Sequence, residues 1–247
     1  MNELQNSPPT KKRKICTSMS PLILLDVDII LKICSLLQED GFIDLFFFIQ
    51  VWFPFQTSET LATLLNNLDW SRVHEVVEPF KNLECRVFNN FVKHSAEIGV
   101  KGAMCYVSCK NLIKAKNPQH HLQILKSISA HDSMSFLAYH IFHTLYHPST
   151  LRENAVILHA KCATDSEFRA KVEKNCTTLK GRYRKYNCNR YYRPDIFPQN
   201  GVCSSFVSGE DHNMDVFGLG CSYKEIVNSS CSECMILMMN FKIFRGY

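Results

Sequence analysis

Two adjacent apolar segments between residues 25 and 55 place the strongest constraint on how this chain can fold. In residues 25–37 the apolar side chains recur at helical intervals, while the polar ones lie mostly on the remaining arc. The next segment, residues 43–53, has almost no polar face. A solvated helix of a small domain needs a polar side, so we expect other structure to cover part of this second helix.

Local signals limit these two helices and predict a third. Gly41 is expected to end the first helix, and Pro54 limits the second because proline disfavours a helical residue before it. A third helix is predicted to begin at Thr57 to Glu59. Its apolar stripe consists of Leu61, Leu64, Leu65 and Leu68. Residues 20–68 are therefore predicted to form a unit of three helices.

The order and spacing of residues in this unit resemble an F-box. The F-box pattern begins Leu-Pro-x-Asp-Leu-Leu, continues as Ile-Leu-Ser-x-Leu, and closes with Asp-Leu, a Val and an aromatic residue. The matching positions here are Leu25, Asp28, Ile29, Ile30, Ile33, Ser35, Leu37, Asp44, Leu45, Val51 and Phe55. The chain departs from the pattern at Asp26, where the family usually has proline, and at Trp52 and Pro54. An ordinary helical core is the alternative explanation of the apolar spacing.

The resemblance implies a small helical bundle that docks on the Skp-type adaptor of an SCF-type (Skp-cullin-F-box) E3 ubiquitin ligase. The implied adaptor-binding residues are Leu25, Ile29, Ile30, Ile33, Leu36, Leu37, Leu45, Val51 and Phe55. The rest of the chain would hold a protein substrate, of unknown identity, near a loaded conjugating enzyme. Such a receptor supplies proximity and no bond chemistry, so we expect a protein-binding subunit of the ubiquitin conjugation pathway and not an enzyme.

Residues 80–180 carry a weak repeat, offset by 33 residues, that predicts a helical repeat-like domain. The predicted helices span residues 85–98, 103–113, 121–130, 134–146 and 165–180, with another beginning at Ser149 or Thr150. Glu153 is placed to complete a capping box at the start of that helix. The whole order resembles plant F-box proteins with short tetratricopeptide- or Sel-like repeats after the box. Stacked helix pairs would present a concave face to a protein substrate, and an unrelated helical bundle is the alternative.

Histidines and cysteines raise the question of a metal site. His140, His143 and His147 share one helical face, but apolar neighbours surround them, so we interpret them as a partly exposed helix surface. Cys105 and Cys109 lie one helical turn apart and are predicted to be core residues. The chain has 12 cysteines at irregular spacing and no secretory leader, so most are expected to be reduced and buried.

The C-terminal residues 181–247 are predicted to form an irregular segment that contains several cysteines. Cys231 and Cys234 are its only close pair, whereas a structural zinc site normally shows a second pair at similar spacing. We therefore expect no metal and no other cofactor. Phosphate-binding glycine loops, nucleophile elbows and paired acidic motifs are also missing from the sequence, which leaves no catalytic residues to propose.

The net charge of +5 is gathered in two places, and the first is a tail predicted to be disordered, residues 1–19. Its basic cluster consists of Lys11, Lys12, Arg13 and Lys14. Such a cluster can be read by a nuclear import receptor or can simply solubilise the tail, so we expect the protein in the nucleus, the cytoplasm or both. Asp26, Asp28 and Lys32 interrupt the nearby apolar run, so no membrane segment is expected.

The second basic region, residues 182–193, alternates arginine and lysine with tyrosine and supports a different hypothesis. Aromatic rings can stack on bases while cations neutralise phosphates, as in a nucleic-acid-binding protein. A solvated loop after a helix explains the same residues, and it is the interpretation we favour, so nucleic acid is not an expected partner. A helical scaffold whose degenerate F-box no longer recruits the ligase is the third possibility.

Overall fold

The computed structural model describes residues 26–40, 42–52, 57–71, 73, 83–112, 118–186, 226–228 and 231–244. These segments are mainly helical and contain no strand, which confirms the predicted mainly α class. Among them, no helix is both long enough and apolar enough to cross a membrane. Gly41 and Pro54, which were expected to end the first two helices, lie outside the described residues.

The three N-terminal helices lie where the apolar pattern predicts them, within one helical turn. They are α1 (Val27–Asp40), α2 (Phe42–Trp52) and α3 (Ser58–Asn66). Thr57 caps α3, since its side-chain oxygen accepts a 3.2 Å hydrogen bond from the Thr60 backbone amide. The start of α3 is therefore set by the polar residues that the sequence analysis identified.

The next four helices form two consecutive pairs, and a short turn joins the two helices of each pair. They are α4 (Leu83–Glu97), α5 (Lys101–Leu112), α6 (Gln119–Ile128) and α7 (Ser133–Tyr146). Gly99 adopts φ +88° between α4 and α5, and the Val100 amide donates back to the Ser95 carbonyl at 3.0 Å. This left-handed residue closes α4 with a Schellman-type turn, which glycine adopts without steric cost.

Helix α8 (Leu151–Thr164) follows a short 3-10 turn (Pro148–Thr150), and α9 (Ser166–Tyr186) follows α8. The predicted capping box at Thr150 is wrong, because the Thr150 side chain makes no capping hydrogen bond. Its hydroxyl instead donates to the His147 carbonyl at 2.8 Å. Helix α9 also continues more than a turn beyond the predicted end at Lys180.

A final helix, α10 (Ser232–Phe244), corrects the expectation of an irregular C-terminal segment for those residues. Met235, Ile236, Met239 and Ile243 of this helix are fully buried. Helix α10 packs mainly against α8 and α9. None of the described side chains of α10 is exposed, and its apolar residues are not confined to one side, so its sequence shows little of the one-sided periodicity that reveals an amphipathic helix.

Two apolar clusters hold these helices together. The first joins α1, α2 and α3 to α4 and one side of α5, and includes Leu45, Leu64 and Tyr106. The second joins the other side of α5 to the five helices from α6 to α10, and includes Leu125 and Met239. Each helix from α4 to α9 contacts the next one along the chain, and α5, α7 and α9 also touch one another. The first cluster thus extends across the predicted domain boundary between residues 68 and 80.

Candidate docking surface

The outer face of α1 presents apolar side chains to solvent. Ile29 is 49% exposed and Leu36 is 56% exposed, and both rank among the exposed large hydrophobic residues of the described chain. Ile33, between them, is half-buried. Positions three and four apart lie on one side of a helix, so these three residues form a continuous stripe, which we call the α1 stripe.

The opposite arc of α1 is also apolar and faces the protein interior. Ile30 and Cys34 are fully buried there, and Leu37 is partly buried against the same cluster. Helix α2 contacts α1 and contributes Leu45 and Ile49, also fully buried, to this core. The wide apolar face predicted for α1 therefore divides into a core side and an exposed side.

Helix α2 is covered in part by α4, as its nearly continuous apolar sequence led us to expect. The Phe46 ring lies 5.5 Å from the Phe88 ring and 5.4 Å from the Phe91 ring, both in edge-to-face geometry. Phe47, the next residue of α2, remains 48% exposed. Exposed charged residues, Asp28, Lys32 and Asp44, lie on the same two helices.

The predicted adaptor-binding residues fall into three groups. Ile29, Ile33 and Leu36 are reachable from solvent, and Leu37 is partly buried. Ile30 and Leu45 are fully buried, so a partner that binds the outer face of α1 does not touch them in this structure. Leu25 and Phe55 lie outside the described residues, and Val51 belongs to α2 without a described side chain. The predicted import cluster, Lys11, Lys12, Arg13 and Lys14, also lies outside the described residues.

The histidines of α7 form part of a buried polar network, which corrects the expectation that all of them lie on a partly exposed surface. His140 is buried, and its Nδ1 donates to the Asn154 Oδ1 at 2.8 Å. The Asn154 side-chain amide lies 3.0 Å from His143 Nδ1 and 2.9 Å from the Thr150 carbonyl. Burial lowers the pKa of His140 and of His143 below the ordinary value for histidine. These side chains therefore join α7 to α8 in their neutral form.

The cysteines of the described residues form no disulfide. Cys34, Cys105, Cys109, Cys162 and Cys176 are buried, as the sequence analysis predicted for the Cys105 and Cys109 pair. Burial raises the pKa of Cys34 and of Cys162 to about 11, so these thiols stay protonated at neutral pH. Within the described part of the chain, no group of histidine, cysteine, aspartate and glutamate side chains is arranged to hold a metal ion.

Arg182, the first residue of the proposed nucleic-acid-binding stretch, is only 1% exposed. Its Nη2 donates to the Trp70 carbonyl at 3.1 Å, and its Nη1 lies 3.8 Å from the Cys105 sulfur. The guanidinium also lies 5.1 Å from the centre of the Tyr106 ring. Arg182 is therefore not part of an exposed basic stretch, as the nucleic-acid hypothesis requires, and the remaining residues of the stretch have no described side chains.

No protein-family model, curated protein or solved structure matches this chain. Its function must therefore be argued from its own residues and their geometry. The α1 stripe is an exposed apolar feature of the kind that mediates protein contacts. Of the predicted adaptor-binding residues, Ile29, Ile33 and Leu36 are reachable from solvent, and the sequence pattern alone does not separate them from the core residues of the same helix.

Proposed function

We propose that this chain is the substrate-recognition subunit of an SCF-type E3 ubiquitin ligase and that it docks the Skp-type adaptor through its F-box-like N-terminal helices. The supporting observation is the α1 stripe, because Ile29 and Leu36 stay about half exposed although the same helix already fills the core with Ile30 and Cys34. A helix with a second apolar face, left uncovered, is suited to a protein partner.

The energetics of docking favour such a surface. Full burial of one large aliphatic side chain contributes about 1.5–3 kcal/mol, so covering three residues that are partly exposed supplies a substantial share of a binding free energy. Exposed Asp28 and Lys32 adjoin the stripe on α1. An apolar centre with a charged rim is the usual arrangement of a specific interface.

In this proposal the helices after the F-box-like unit present a protein substrate. The adaptor links the chain to a cullin, and the cullin carries the ubiquitin-loaded conjugating enzyme close to that substrate. Ubiquitin transfer is accelerated because the substrate is held at a high local concentration beside the loaded enzyme, so the chain itself needs no catalytic residue. The proposed place of action is the nucleus, the cytoplasm or both.

The direct test is co-purification of the full chain with a Skp-type adaptor. We expect the wild type to retain the adaptor and a double variant, Ile29→Asp with Leu36→Asp, to lose at least about tenfold of that affinity, because two charges would be desolvated at the interface. Both positions are exposed, so the variant should keep its helical content and its unfolding midpoint.

Val156→Asp provides the matched control, since Val156 is an aliphatic residue of α8 that is 54% exposed and lies far along the chain from the stripe. This variant should bind the adaptor like the wild type. Failure of the wild type to retain the adaptor, or equal retention by the double variant, would contradict the proposal and favour a helical scaffold without ligase function.

A further inference from the structure

Arg182 is a buried cation, and none of the described carboxylates forms an ion pair with it. Within the part of the chain that the structure describes, the buried Arg182 Nε has no hydrogen-bond partner, and the guanidinium pairs with no carboxylate. Its contacts are the Trp70 carbonyl, the Cys105 sulfur and the Tyr106 ring. None of these groups is a carboxylate, the anion that normally compensates a guanidinium removed from water.

This side chain lines a cleft of about 390 Å³ between the turn after α3 and the helices α5, α7 and α9. The Trp70 ring forms one wall and lies against Gly102, where an added Cβ would approach Trp70 Cγ to 2.3 Å. Lys101, Lys171 and Lys174 are exposed and line the same cleft, whereas Arg182 is its buried cation. Its volume lies within the range of small-ligand sites.

The charges around the cleft are unbalanced. Among the described residues, four cationic side chains line the cleft against two carboxylates, those of Asp69 and Asp132. Lys174 pairs with Asp69 at 2.6 Å, and Lys171 pairs with Glu167 on its own helix. Lys101 and Arg182 are the cations of the lining without a carboxylate partner among the described residues.

Asp132 forms no ion pair with a described residue but accepts two hydrogen bonds. Asp132 caps α7, where its Oδ2 accepts a 2.6 Å hydrogen bond from the Ser135 amide and another from the Ser135 hydroxyl. These hydrogen bonds hold the Asp132 carboxylate at the helix start, and no ion pair among the described residues joins it to Arg182.

We propose that this cleft binds a phosphate monoester group, with Arg182 Nε as the inner donor and Lys101 as the outer cation. A phosphate monoester carries about −1.5 to −2 charges at neutral pH, which matches the excess of cations over carboxylates in the lining, whereas a carboxylate carries only one charge. Guanidinium donors suit phosphate oxygens in particular. The site does not depend on the adaptor-docking proposal, because it shares no residue with the α1 stripe.

The test uses the full chain and the fluorescence of Trp70. The chain has two tryptophans, so Trp52→Phe leaves Trp70 as the single reporter, one hydrogen bond away from Arg182. Titration with inorganic phosphate, at constant pH and ionic strength, should give a saturable change in emission. Acetate under the same conditions should bind at least about tenfold more weakly, since it offers one charge instead of nearly two.

Two variants in the Trp52→Phe background separate the proposed site from general charge attraction. Lys101→Gln should weaken phosphate binding about threefold, as expected for loss of one exposed cation. Lys93→Gln removes an exposed cation of α4 that does not line the cleft, and it should leave the affinity unchanged. Arg182→Lys should cost at least about tenfold, because lysine lacks the planar donors of arginine.

If Arg182→Lys fails to fold, the comparison of Lys101→Gln with Lys93→Gln still decides the question. An unsaturable response to phosphate, or equal weakening by both lysine variants, would refute the site. The affinity for a short phosphoserine peptide, compared with that for inorganic phosphate, shows which kind of molecule supplies the phosphate group. Binding tighter than that of inorganic phosphate assigns the site to a phosphorylated protein, and equal binding assigns it to a small phosphate ester.

Discussion

Asn154 is the residue that joins the histidines of α7 to the start of α8. Its side-chain oxygen accepts from His140, and its amide lies within hydrogen-bond distance of His143 and Thr150. Because the amide can only donate, His143 Nδ1 must accept and is therefore unprotonated. Protonation of His143 Nδ1 would place its N–H against the N–H of the Asn154 amide and break this hydrogen bond. The network is therefore expected to weaken at low pH.

We expect the free energy of unfolding to fall as the pH drops below about 6.5, the ordinary histidine pKa. Burial lowers the pKa of His140 and His143 in the folded state, so in this window the unfolded chain binds protons that the folded chain does not. The contribution of these two histidines to stability is therefore fully present above their pKa in the unfolded chain. It is lost as the pH falls through their lowered pKa values in the folded protein. Urea unfolding across this pH range measures the effect.

The variant His140→Gln can still donate to Asn154 but does not titrate, so it should flatten the pH dependence. His131→Gln removes an exposed histidine and serves as the control. If both substitutions change the pH dependence to the same extent, the buried network is not its cause.

At the scale of one helix, α1 shows how two faces of similar sequence acquire different roles. Ile29 and Ile30 are neighbours with identical side chains, yet the first is 49% exposed and the second is fully buried. Helical geometry alone turns adjacent residues by about 100°, which is enough to place one in the core and the other outside. The sequence predicts the helix, but which arc meets the core depends on how α2 packs against it.

Alanine substitution at these two positions should separate the faces of α1. Ile30→Ala should lower the free energy of unfolding by about 2–5 kcal/mol, because it leaves a cavity in the first cluster. Ile29→Ala should change it by no more than about 0.5 kcal/mol while weakening adaptor binding. Denaturant unfolding of both variants provides the comparison, and equal destabilisation would mean that the assigned faces of α1 are wrong.

Helices α1 to α9 could be predicted from sequence because most show either a one-sided stripe or clear polar limits. Helix α10 could not, since its apolar residues are not confined to one side and its sequence lacks a polar face. The burial of Arg182 could not be predicted either, for a related reason. A basic, tyrosine-rich neighbourhood indicates a solvated or ligand-binding surface, and only the packing of α9 against α5 shows that this arginine is internal.

For the molecule as a whole, α5 connects the two apolar clusters. Ala103 and Tyr106 belong to the first cluster, whereas Cys105 and Cys109 belong to the second. The same helix therefore contributes to the core beneath the α1 stripe and to the core completed by α10. Because one rigid helix contributes to both clusters, a substitution that disrupts the packing of one cluster should also destabilise the other.

The contribution of α10 to the second cluster can be measured with Met239→Ala. Met239 is fully buried, so its truncation should cost about 2–5 kcal/mol of unfolding free energy. Met238 is only partly buried and packs at the edge of the same cluster, so Met238→Ala is the matched control and should cost clearly less. Chemical denaturation followed by circular dichroism measures both, and a negligible cost at Met239 would show that α10 is not part of the core.

The position of α10 along the chain also has a consequence for the order of folding. Helices α4 to α9 make most contacts with sequence neighbours, whereas α10 must return to α8 and α9 across residues 187–231. Contacts between distant segments carry a larger loop-closure entropy and form more slowly than local ones. We therefore expect the amides of α10 to acquire protection from hydrogen exchange after those of α6 and α7, and to lose it first when the protein opens.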